Sequence, residues 1–203
     1  MDKEIYIIRH GETDLNKQGI VQGRGINSDL NDTGRAQAAA FYATYKDIAF
    51  DKIYTSTLKR THQTVKGFID AGVSWEQLSG LDELAWGIWE GKPNDEQAIA
   101  AFKGLMEKWE SGDYDARFEG GESPNDVVIR EKEAVEIIKN AANEKTILVC
   151  MHGRAMRLFL CLLTNTPISE MTSFPHQNTV LYKLELTGDE FVITEFNNTD
   201  HLK

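Results

Sequence analysis

Hydrophobic and polar positions follow two rhythms along this chain, and each change of rhythm marks a new element. Residues 4–8 and Thr146–Met151 are short, largely apolar runs rich in β-branched residues, the pattern of strands buried on both faces. Residues 51–55 read as a further strand. Helices are expected at 32–46 and at about 58–71 and 94–110; in the first, Ala36, Ala38, Ala39 and Ala40 favour the helical state and Asn31 or Thr33 supplies the cap. Ser123-Pro124-Asn125-Asp126 is a helix start: a capping Ser, Pro at the first helical position, and an acid three residues after the Ser. That helix runs to about Ala142. An apolar helix spans Ala155–Leu163 and stops before Pro167. Residues 179–185 and 191–196 alternate well enough to be two closing strands, turning at Gly188-Asp189. The stretch 73–93, with Trp75, Trp86 and Trp89 spread through it, has no clear period.

Strands alternating with helices predict an α/β fold, a three-layer sandwich in which helices flank a mostly parallel central sheet. No linker-like stretch and no internal repeat divides residues 1–203, so one domain is expected. Residues 84–122 exceed a normal connection and read as an insertion beside the active edge.

Composition narrows the function classes. With 41% hydrophobic and 27% charged residues the chain is neither a disordered tail nor a membrane protein. Apolar runs such as Ile147–Met151 are far below what a bilayer needs, and Ile5-Tyr6-Ile7-Ile8 is too short for a signal peptide. A net charge of −10 argues against nucleic acid and anionic lipid as partners, while leaving a small anionic substrate open. Cys150 and Cys161 are the only cysteines and sit in apolar stretches, so a reduced, cytoplasmic setting is the default.

Three predicted strands end alike. The first ends in Arg9-His10-Gly11-Glu12, the second reaches Arg60 in the opening turn of its helix, and the third ends in His152-Gly153-Arg154. Ligands of open α/β sheets bind outside the carboxyl ends of the strands, so one edge would gather two Arg and two His. Helix starts there favour an anion, and Arg matches phosphate oxygens bidentately. A lone His after a strand is usually structural; three coincident cationic strand ends are not easily so read.

These residues resemble the signature of the histidine phosphatase superfamily, the phosphoglycerate-mutase-like enzymes. The similarity begins at Ile7-Ile8-Arg9-His10-Gly11-Glu12-Thr13 and passes through Gln22-Gly23-Arg24 and Tyr54-Thr55-Ser56-Thr57-Leu58-Lys59-Arg60. It continues at Leu81-Asp82-Glu83, Trp89-Glu90-Gly91 and Gly120-Gly121-Glu122-Ser123, and closes at Leu148–Gly153 and Asn178. The resemblance implies that His10 is a nucleophile that becomes phosphorylated, that Arg9, Arg60 and His152 hold the phosphoryl oxygens, and that Glu83 is the acid and base. Partial burial of Glu83 near Trp86 or Trp89 would suit an acid that starts protonated. Asn16, Gln22, Gly23 and Gly153 would complete a substrate-binding rim, and Asn178 would support the His10 loop. Glu12, Arg154 and His62 stay outside the assigned site.

The implied function is a phosphomonoester hydrolase that needs no metal or cofactor and acts on a small phosphorylated molecule. No His or carboxylate spacing implies a metal site, and no dinucleotide or phosphate-loop fingerprint completes. The alternative is a phosphoglycerate mutase-type phosphoryl transfer; a non-catalytic phospho-ligand module and a zinc hydrolase are weaker readings. Trp86, Trp89, Phe102, Trp109 and Tyr114 are the aromatics available to line the pocket mouth. The apolar closing strands and the 155–163 helix are equally compatible with core and with a dimer interface.

Overall fold

Along the first strand, β1 (Glu4–Arg9), Ile5 and Ile7 point to one layer of core while Tyr6 and Ile8 point to the other. Thr146–Met151 divides the same way, with Ile147, Val149 and Met151 on one face and Leu148 and Cys150 on the other. Both faces are covered, which is why these segments are apolar without a break. The computed structural model describes residues 3–188 and 190–203.

The remaining strands are β2 (Lys52–Thr55), β3 (Trp75–Gln77), β4 (Thr146–Met151), β5 (Leu181–Thr187) and β6 (Glu190–Asn198). They form one sheet in the order β3-β2-β4-β1-β5-β6. The pairs β1–β4, β2–β4 and β2–β3 are parallel, and β5 and β6 close the sheet antiparallel. The expected α/β sandwich is therefore found, with a mixed sheet in which β1 to β4 are parallel. Gly188 adopts the left-handed conformation of a tight turn, φ 65°, while Asp189 lies outside the described residues.

Seven α-helices are described: α1 (Asp14–Lys17), α2 (Asp32–Tyr45), α3 (Lys59–Thr64), α4 (Lys66–Asp70), α5 (Glu96–Glu110), α6 (Pro124–Asn140) and α7 (Gly153–Thr164). Asn31 caps α2 through Gly34 N, and Ser123 with Asp126 forms a capping box on α6. The single helix expected at 58–71 is instead α3 and α4, because Val65 leaves the helical region at φ −102°, ψ 13°. The loop before Leu30 contains α1, a single turn held by a Thr13–Asn16 capping box. Side chains of α2 and α4 cover one face of the sheet, and those of α5, α6 and α7 cover the other. Trp109 is fully buried in that second layer, where its indole N–H donates to Ala116 O, so it is core and not pocket mouth.

Candidate active site

The parallel strands deliver their side chains to one edge. Arg9 closes β1 and His10 follows it; Ser56 follows β2 and Arg60 lies in the opening turn of α3; His152 follows β4 as the residue before α7. The chain leaves the neighbouring strands β1 and β4 towards opposite faces, which opens a crevice between them. A cavity of about 320 Å³ lies there. Arg9, His10, Asn16, Gln22, Arg60 and Glu83 line it, joined by Trp86, Asn94, Phe102 and His176.

His10 is buried, and its Nδ1 donates to the Gly11 carbonyl at 2.7 Å. That bond fixes the proton on Nδ1 and leaves the Nε2 lone pair free. Burial, then the charges of Arg60 and Arg9, push the His10 pKa well below the usual imidazole range, so the ring is neutral. Asn178 holds the loop by donating to His10 O at 3.0 Å.

Arg60 is almost wholly buried. Its Nε donates to His152 Nδ1 at 3.1 Å, one Nη to Ile26 O at 2.6 Å and the other to Gly23 O at 3.4 Å. One N–H on each terminal nitrogen is left over for an anion. Burial lowers its pKa to about 10, with Glu83 working in the opposite direction, so the guanidinium keeps its charge at neutral pH. Arg9 donates to His176 O, while its buried Nε has no partner. Two guanidiniums with spare donors therefore face a neutral nucleophilic nitrogen.

His152 is not among the residues that line the cavity. Its Nδ1 takes the Arg60 bond, and its Nε2 lies 2.7 Å from Ser56 Oγ. Both ring nitrogens are engaged behind Arg60, so His152 meets the cavity through that guanidinium. Gly23 and Gly153 also build the wall. The Gly23 carbonyl receives Arg60, and a Cβ on Gly153 would come within 2.8 Å of His176 Cδ2. Asn16 and Gln22 line the cavity and are tied to the same threonine: Asn16 Oδ1 accepts from Thr13 N at 3.2 Å, and Gln22 Nε2 donates to Thr13 Oγ1 at 2.8 Å.

Glu83 is held by backbone rather than by indole rings. Leu84 N and Ala155 N each donate to Oε1 at 2.9 Å, and Arg154 N donates to Oε2 at 3.1 Å. Two of these donors belong to the first turn of α7, where N–H groups lack helical partners. Oε2, with one bond, is the less committed of the two oxygens. Arg130 fixes the chain beneath it, donating to Glu83 O and Gly80 O and pairing through Nε and Nη2 with Glu122.

Sequence reasoning did not single out Ser56, Arg130, Asn94 or His176 as site residues. The only signals were indirect: Ser56 lies inside a motif read for Arg60, and His176 lies two residues before Asn178. Among the described residues no group of His, Cys, Asp and Glu is arranged to hold a metal ion. No helix among them is long and apolar enough to cross a membrane.

Comparison with known proteins gives a consistent set of relatives. The family model for the histidine phosphatase superfamily (branch 1) matches residues 5–199. Fructose-2,6-bisphosphatase TIGAR of Bos taurus is 41% identical over 95 residues, covering 44% of this chain and 35% of that protein. The chain thus spans about a third of that relative. Phosphoserine phosphatase 1 of Hydrogenobacter thermophilus is 27% identical over 98% of this chain and 94% of its own length. Among solved structures, YhfR of Bacillus stearothermophilus superposes with a TM-score of 0.85 at 26% identity, covering 99% of this chain and all of that one.

Proposed function

Because this chain belongs to the histidine phosphatase superfamily, branch 1, and its relatives are named as phosphatases, we propose that it hydrolyses small phosphomonoesters through a phosphohistidine at His10. The observation that carries the reading is a neutral His10 with its proton locked on Nδ1, beside two guanidiniums that still have N–H groups to give. Phosphoryl transfer asks mainly for alignment and charge stabilisation, which Arg9 and Arg60 supply from fixed positions.

In the first step His10 Nε2 forms a bond to phosphorus as the bond to the leaving alcohol breaks, and the Glu83 Oε2 proton passes to that alcohol oxygen. In the second, water attacks phosphorus, the N–P bond breaks, and Glu83 takes the proton that water loses. Glu83 ends the cycle as it began. His152 aims Arg60, and the insertion at 84–122 contributes Trp86, Asn94 and Phe102 as the wall around the leaving group. Cys150 and Cys161 are buried free thiols, in keeping with a reducing, cytoplasmic setting.

Mass spectrometry after mixing with an aryl phosphate should find an acid-labile phosphate on His10, and His10→Ala should abolish turnover. A stable adduct on another residue would refute the assignment. Glu83→Gln should slow esters with poor leaving groups roughly a hundredfold more than activated aryl esters, as expected on losing a general acid. An equal loss on both classes would remove Glu83 from that role.

A further inference from the structure

Arg60 is a long side chain that must present its spare N–H groups to phosphate in a fixed direction. Its hydrogen bonds go to His152 Nδ1, Ile26 O and Gly23 O, and none goes to a carboxylate. Two of these acceptors belong to one short turn, closed where Ile26 N donates to Gly23 O at 3.4 Å. The aim of the guanidinium is thus set by where that turn sits. The turn has little of its own to hold it. It lies in a loop without helix or strand, and two of its four residues, Gly23 and Gly25, have no side chain to anchor. Arg24 between them turns aside, to Asp82 at 3.1 Å and Glu122 at 3.5 Å.

Glu90 occupies the space where the missing side chains would be. A Cβ on Gly23 would come within 2.0 Å of Glu90 Oε1, and one on Gly25 within 2.5 Å of Glu90 Oε2. One carboxylate oxygen is therefore seated against each glycine. Neither glycine has a positive φ, so what these two positions ask of glycine is room for a close approach. Glu90 Oε1 also accepts from Trp86 N at 3.0 Å, and Trp86 lines the cavity while Glu90 does not. Burial lowers the Arg60 pKa to about 10, and Glu90 is among the acids that oppose the fall. The proposed reaction gives this carboxylate no part.

Resting on the phosphatase reading above, we propose that Glu90 is a positioning residue for the phosphoryl pocket. Its carboxylate is a wedge set against the backbones of Gly23 and Gly25 and tied to the main chain of Trp86. The wedge holds the Gly23 and Ile26 carbonyls where they aim Arg60. Glu90 acts on phosphate only through those two carbonyls and that guanidinium. It also joins two parts of the pocket, because Trp86 belongs to the wall around the leaving group and Arg60 to the phosphoryl side. Without the wedge, two glycines with wide backbone freedom let the turn relax, and Arg60 loses the fixed orientation on which charge stabilisation depends.

Calorimetric binding of inorganic phosphate to the intact protein tests this without turnover. Glu90→Ala should weaken phosphate about tenfold, the worth of one well-aimed charge-assisted contact. Glu90→Gln keeps the shape and the acceptor for Trp86 N, and should recover affinity to within about threefold of the parent. Gly25→Ala drives the same carboxylate out from the other side and should match Glu90→Ala; it repeats the measurement should Glu90→Ala fail to fold. A double-mutant cycle with Arg60→Lys separates aiming from packing. Once the forked guanidinium is gone, removing Glu90 should change phosphate affinity by less than about twofold. Equal affinity in parent and Glu90→Ala overturns the role, as does a loss undiminished in the Arg60→Lys background. A Glu90→Gln loss as large as that of Glu90→Ala overturns the wedge, since shape would then count for nothing. An unmodified protein that binds phosphate in this way yet hydrolyses no aryl phosphate would refute the hydrolase reading and leave the positioning role standing.

Discussion

An imidazole nitrogen that faces a guanidinium can only accept, so the Arg60 contact makes Nδ1 the bare nitrogen of His152 and Nε2 the protonated one. From Nε2 a chain of hydroxyls runs through Ser56 Oγ to Thr61 Oγ1 at 3.0 Å and on to Leu58 O at 2.8 Å. Ser56 is thus a positioning residue, orienting Arg60 through His152. Ser56→Ala leaves a buried N–H without an acceptor, which costs about 1–3 kcal/mol, and should lower kcat/KM roughly tenfold. Nitrogen-15 spectra of the imidazoles should show His152 as the Nε2–H tautomer in both proteins, with the Nε2–H signal shifted in the variant by loss of its acceptor. An unshifted Nε2–H signal together with an unchanged kcat/KM would remove Ser56 from the site. At this scale the sequence was informative where charge follows a strand: Arg9, His10 and Arg60 reach the cavity, and so does Glu83, which only the family resemblance pointed to. Ser56 and His176 were not legible, because a hydroxyl and a lone imidazole carry no spacing that distinguishes them from ordinary loop residues.

At the level of elements, α2 presses its first turn against the loop that carries His10. A Cβ on Gly34 would collide with the Glu12 carbonyl, and one on Gly11 would come within 2.7 Å of Gly34 O. Backbone therefore meets backbone, and no side chain is available to yield. Gly34→Ala should destabilise the protein by about 1–3 kcal/mol, as other forced insertions into close packing do. Thermal unfolding should register the loss, and kcat/KM for an aryl phosphate should fall with it as His10 shifts. Unaltered melting would show that the contact is softer than its geometry. Most element boundaries were legible, since β1 and β4 are unbroken apolar runs and α2 and α6 each begin at a capping side chain. The break at Val65 and the turn of α1 were not. The break at Val65 is set by contacts with residues distant in sequence, as when Gly11 N donates to Thr64 Oγ1, whereas α1 is a single turn closed locally by the Thr13–Asn16 capping box and Gly19 at φ 65°, too short to leave an apolar period.

Across the whole molecule, all five histidines have their pKa values lowered, in each case by burial first. A histidine whose folded pKa lies below its unfolded value takes up its proton only on unfolding, so stability falls as pH drops below about 6.5. His10, His152 and His176 are the most enclosed and drive this effect. Glu131 opposes it. Burial holds this carboxyl well above the usual carboxylate range, with neither oxygen hydrogen-bonded, so its proton is released on unfolding at neutral pH. Three protons against one leave a net loss of roughly 2 kcal/mol between about pH 6.5 and about pH 5.5. Urea unfolding across that range should show the decline, and stability that is flat or rises towards acid would contradict the neutral histidines. Activity should show no ionisation of His10 in the same window, since its pKa lies far below it.

The position of β1 has a consequence for how the protein is made. Glu4 pairs with Thr146 on one side and with Glu185 on the other. On the ribosome this strand emerges before both partners and waits, unpaired on both edges, until β4 and then β5 have been translated. The segment that leads into His10 is therefore also one whose apolar edges stay open in the growing chain until those strands arrive. Its protection and its chemistry arrive together, when the last strands close over it.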